Sequence, residues 1–151
     1  MEKDLDATIQ FHIIDVDPNL PDESRLIHWL ESLAQAYNST IEEVQYIFCT
    51  DDYLLDINKT HLNHDYYTDI ITFPYKEGDL IASDIFISVD RVKENASTYK
   101  VSFLEELLRV MAHGILHLIG FKDKTEEEAL VMRQKEEEAL ALFKQLSAQD
   151  L

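Results

Sequence analysis

Two histidines four positions apart, His113 and His117, are the residues of this sequence best suited to chemistry. They lie in MAHGILHLIGFKDK, residues 111–124. On a helix that spacing puts both imidazoles on one face, one turn apart, as two ligands of one divalent ion require. Ile115, Leu116, Leu118 and Ile119 surround the pair. Imidazoles in so apolar a helix need partners. Gly120 breaks the helix three residues after His117, so the chain can turn back and offer a third donor. Asp123 is the best-placed candidate, giving H-x3-H-x5-D. Two imidazoles and a carboxylate suit Zn²⁺ and leave its fourth position open, and Ni²⁺ or Co²⁺ suit the same set. Zinc peptidases of the H-E-x-x-H type carry a Glu directly after the first His as general base. Here that residue is Gly114, which counts against such a mechanism, and no other general base is evident.

The elements that must hold these residues can be read from periodicity and punctuation. Residues 9–16 (IQFHIIDV) read as a strand. Asp22 or Ser24 caps a helix over 24–37 with a stripe of Leu26, Ile27, Leu30, Leu33, Ala34 and Tyr37. Trp29 falls to one side of that stripe, which predicts partial cover. Strands are expected over 43–50, over 69–73 with Pro74 as the stop, and over 80–89, with a turn at Glu77-Gly78-Asp79. Thr50 or Asp51 opens a short helix over 51–61, and Ser88 or Asp90 one over 90–99. Ser102 caps the His-bearing helix, 103–119, and Thr125 caps a last helix to Leu146. The acidic groups at 126–128 and 136–138 read as solvated helix faces. This order predicts an α+β single domain, a small mixed sheet of about four strands with about five helices.

Bulk properties bound the rest. The 151 residues suit one domain, and 46% hydrophobic residues suffice for a core. The start MEKDLDATIQ has no apolar leader, and no apolar run approaches the ~20 residues of a membrane span. The lone Cys49 reads as a small core residue in a reducing compartment. A net charge of −17 argues against charge-driven binding along nucleic acid and favours attraction of cations.

The motif HGILHLIGFKD resembles H-G-x-L-H-L-x-G-Y-D-H of the YbeY family, metal-dependent endoribonucleases of bacterial rRNA maturation. TDIITFPY at 68–75 is similar to the family's T-D-V-L-S-F-P segment, and SDIFIS at 83–88 to its G-D-I-x-I-S strand. Order and spacing of the three blocks match over most of the chain. The resemblance implies a zinc-dependent, single-strand-specific endoribonuclease of the cytoplasm. It would act in 16S rRNA 3′-end maturation and ribosome quality control, with rRNA and the ribosome or ribosomal proteins as partners. It implies His113, His117 and Asp123 as the metal ligands, with Asp123 where the family has a third histidine and Lys122 where it has an Asp. It also implies a cleft-lining or strand-fixing role near the metal for Thr68 and Asp69. A basic residue usual upstream of the T-D-V block falls on Leu62, with His61 and His64 beside it. Two alternatives remain: a ribosome-assembly factor with a structural or vestigial metal, and a metal-dependent hydrolase of another substrate, such as peptides or small esters.

Other residues carry weaker readings. His61 and His64 sit in loop-like HLNHD and are expected to be exposed, with substrate contact as the second use. Lys122 and Lys124 read equally as surface lysines and phosphate contacts. Tyr66 and Tyr67 read as packing residues ahead of base stacking. His12 and His28 are given no role.

Overall fold

The computed structural model of the chain describes residues 8–149. Its elements run β1 (Ile9–Ile13), α1 (Glu23–Gln35), β2 (Thr40–Cys49), α2 (Asp51–Leu62), β3 (Ile70–Lys76), β4 (Leu80–Ser88), α3 (Val89–Tyr99), α4 (Phe103–Ile119) and α5 (Glu126–Gln149). Four strands form one mixed sheet in the order β1-β2-β4-β3. β1, β2 and β4 are parallel, and β3 lies antiparallel beside β4 at the edge. The α+β expectation, four strands and five helices, is met.

Local chemistry explains several helix starts. The hydroxyls of Thr50, Ser88 and Ser102 accept from the backbone N–H groups of Tyr53, Arg91 and Glu105, so three helices start where expected. Three strand boundaries differ by three residues each, and α5 runs three residues past Leu146 to Gln149. β1 stops at Ile13, three residues early, because Asp15 takes a left-handed φ of 56°. β2 starts at Thr40, whose N–H bonds Asp79 O at 2.8 Å. β3 runs through Pro74 to Lys76, with an irregularity between those two residues. Proline is tolerated there because β3 is an edge strand, where a missing donor need not break a ladder.

Alternation along the strands makes two interiors. Val44, Tyr46 and Phe48 of β2 and Ile81, Ile85 and Ile87 of β4 face the main core with α1, α4 and α5. Cys49, Leu54 and Ile71 form a smaller cluster on the α2 side, with Phe73 and Phe86 packed against it. Trp29 is fully buried, not partly covered, and its Nε1 donates to Ala139 O at 2.8 Å. The partner was α5, which α1's own periodicity does not report. Tyr46 Oη donates to Met111 O at 2.8 Å and ties α4 to the sheet. Gly114 lets α4 lie close, since a Cβ there would stand 3.2 Å from both Ile70 Cδ1 and Ile85 Cδ1. The β3–β4 turn is pinned to the end of α4 by Gly78 N–H on Leu118 O at 2.9 Å. Among the described residues, no helix is long and apolar enough to cross a membrane.

Candidate metal centre

One face of α4 carries Glu106, Arg109, His113 and His117, spaced three, four and four. The two rings are parallel within 2°, with centroids 6.5 Å apart. At the helix end Gly120 adopts a φ of 133°, which disfavours side chains, and its N–H bonds the carbonyls of Leu116 and His117. The chain then turns back. Thr125 and Glu128 form a reciprocal cap at 3.1 Å each way, and Phe121 stacks edge-on against Tyr37, fixing both ends of the loop. Asp123 is thereby brought to His113, Oδ2 to Nε2 at 3.4 Å. His113, His117 and Asp123 line one cleft of 180 Å³ with Ile70 and Thr72 of β3.

The other nitrogen of His113 is held from α5. Nδ1 lies 2.7 Å from Oε2 of Glu136, a buried side chain. A carboxylate can only accept, so Nδ1 carries the hydrogen, and in the neutral ring Nε2 keeps its lone pair toward Asp123. Burial of the ring disfavours its charged form, but the bond to Glu136 and the charges of Glu136, Asp123 and Asp69 outweigh that and raise the His113 pKa. Glu136 is shared with Arg109, whose buried guanidinium also meets Glu137 at 2.7 Å and Glu105 and Glu106 at 3.6 Å. Burial raises the Asp69 carboxyl, against an opposing pull from His113. Asp69 lines an adjoining cavity with His113.

The donors fit a divalent ion in kind. Two imidazoles and a carboxylate share a cleft, and a buried carboxylate orients one ring, as outer-shell partners of metal-bound histidines do. Nδ1 of His117 is buried without a hydrogen-bond partner. Among the described residues, no three His, Cys, Asp or Glu side chains converge tightly enough to enclose an ion as they stand.

Glu136 corrects the reading of 136–138 as a solvated face; Glu137 and Glu138 are exposed, but Glu136 is not. The signal was its place in the buried stripe Met132, Glu136, Ala139 and Leu140. Arg109 gives a similar signal on α4, where it is buried between Leu108 and Val110. Tyr66 and Tyr67 are about half exposed, and the Tyr67 ring lies under the Arg91 guanidinium at 5.4 Å. His61 and His64 are exposed as expected. His61 lines a cavity with Ile57 and Phe73 on the α2 side, and His64 stacks on Tyr66. Lys122 lines a shallow pocket with Glu127 and Val131, not the histidine cleft.

The sequence pattern of the family described as Endoribonuclease YbeY matches residues 15–144. A protein of that name from Flavobacterium psychrophilum is 50% identical over 129 residues, covering 85% of this chain and 92% of that one. Another, from Cytophaga hutchinsonii, is 47% identical over 140 residues, covering 92% and 98%. The solution structure of TM1509 from Thermotoga maritima superposes with a TM-score of 0.66 at 28% identity, over 94% of this chain and 93% of that one. With a fold, a motif and a relative's identity all pointing one way, the chain belongs to the YbeY family of endoribonucleases.

Proposed function

We propose that the protein is a metal-dependent, single-strand-specific endoribonuclease of the cytoplasm, acting in 16S rRNA 3′-end maturation and ribosome quality control. The observation that carries the metal reading is Glu136 fixing the His113 ring so that Nε2 faces Asp123 in the cleft shared with His117. His113, His117 and Asp123 would hold the ion, with zinc favoured and Ni²⁺ or Co²⁺ suited to the same donors. When bound, the ion supplies Lewis acidity toward a phosphoryl oxygen. Glu136 keeps the Nδ1 proton in place, and Ile70 and Thr72 wall the cleft from the sheet side. A net charge of −17 opposes broad contact with RNA phosphates, so docking on the ribosome falls to a ribosomal protein while the cleft takes one RNA strand.

Elemental analysis of metal-replete protein should find about one equivalent of ion. His117→Ala should lose it and slow cleavage of single-stranded RNA at least about a hundredfold, the scale of a Lewis-acid contribution. Full-rate cleavage by that variant, or by protein treated with chelator, would sink the proposal. One observation favours a second reading, an assembly factor with a structural metal: the buried Arg109–Glu136 pair ties His113 into the core. In that case chelation lowers the melting temperature while the loaded protein cleaves no RNA.

A further inference from the structure

The histidine cleft has a neighbour. A cavity of 270 Å³ shares Ile70, His113 and Asp123 with it and extends between α3 and α5, where Asn95, Tyr99 and Arg133 form its outer wall. Its inner wall carries Asp69, Glu106 and Glu136, so a phosphate fits at the outer rim beside Arg133, and the volume, near the lower end of small-molecule sites at roughly 300–1,000 Å³, suits one nucleotide unit rather than a duplex.

Its two arginines differ in what they can do. The Arg109 side chain is 7% exposed and held by several carboxylates, with Glu137 at 2.7 Å, so it stays in the core. Arg133 is 55% exposed, and its own contact with Glu137 is long at 3.9 Å. An exposed ion pair of that length contributes little, and its acid is already engaged by Arg109. Arg133 can therefore turn to a phosphate, for which a planar guanidinium is well matched. Tyr99, at the end of α3, is also 55% exposed and leaves its ring open to a base. Base–aromatic stacking accepts any base, as a single-strand site needs. His61 lies across the sheet from this cavity, among residues of the α2 side.

We propose that this cavity is a nucleotide subsite of the ribonuclease reading above, on which it rests. Arg133 takes a phosphate adjoining the scissile one, and Tyr99 stacks the base attached to it.

The test is fluorescence anisotropy of metal-replete protein with a short single-stranded phosphorothioate RNA, at several salt concentrations. Arg133→Ala should weaken binding about tenfold and flatten the log K against log salt slope by about 0.7, one phosphate contact on a single strand. Arg133→Lys should restore the slope. Tyr99→Leu should weaken binding about tenfold with the slope unchanged. Lys144→Ala removes the same charge from the same helix outside the cavity and should match the parent. Should Arg133→Ala and Lys144→Ala bind alike while the parent binds and cleaves RNA, the subsite is overturned and the ribonuclease reading stands. A parent that neither binds nor cleaves single-stranded RNA overturns both.

Discussion

β3 serves two interiors that are held together by different means. Ile70 and Thr72 face the histidine cleft under α4, whereas Ile71 and Phe73 face α2. The α2 side buries Cys49, Leu54 and Ile71, and the cavity beside it, 410 Å³, is walled mostly by apolar and aromatic side chains. The α4 side has a large apolar core, but at its margin it also buries Glu106, Arg109 and Glu136. Apolar packing depends on filled volume and degrades gradually. Buried charge depends on partners, and loss of one leaves another uncompensated. The side of the sheet that carries the histidine cleft is therefore the one where single substitutions should act on stability and on the cleft together.

That contrast can be tested from its most severe consequence downward. Gly114→Glu introduces the residue that zinc peptidases carry, but here it drives a carboxylate against Ile70 and Ile85. Overpacking and an unpaired buried charge should together remove more than about 4 kcal/mol, measured by urea unfolding or seen as failure to fold. A stable variant would mean that α4 can lift from the sheet. Next is Glu136→Ala, which strips His113 of its Nδ1 partner and Arg109 of a buried counter-charge. We expect a loss of about 3–5 kcal/mol, roughly 6–20 °C in melting temperature, together with a 10–100-fold weaker metal affinity of about the outer-shell size. On the α2 side, Leu54→Ala should cost about 2–3 kcal/mol with metal affinity untouched. If Leu54→Ala weakened metal binding as much as Glu136→Ala, the two interiors would not be separable. A last test alters no residue and concerns Cys49, whose thiol is pushed up to about 12, by burial first and by the nearby Asp51 and Asp90 charges second. At pH 8 its alkylation in the folded protein should be slower than in urea by on the order of a thousandfold from thiolate fraction alone.

What the sequence disclosed follows from distance along the chain. His113, His117 and Asp123 span eleven positions, so helical spacing and a glycine stop were enough to group them. Helix starts were legible because their caps are local side-chain-to-backbone bonds. Glu136 lies 23 positions from the ring it holds, inside a run of three glutamates whose average character is solvated. Only the stripe it shares with Met132 and Leu140 separates it from its neighbours. Trp29 failed for the same reason, since its carbonyl partner lies 110 residues away. Pro74 misled because tolerance of proline depends on strand order, which a single strand does not encode. The cavity beside the histidine cleft was beyond reach, because its walls come from α3, α4 and α5 at once.

The contact between His113 and Glu136 also has an order in time. A ribosome making this chain adds the histidine 23 residues before the glutamate, roughly one to five seconds earlier at bacterial and eukaryotic synthesis rates. During that interval nothing from α5 selects which ring nitrogen of His113 bears the hydrogen, and the carboxylates that surround Arg109 are incomplete. The nascent chain thus has a helix with two histidines before it has a site, and the docking of α5 is the event that completes it.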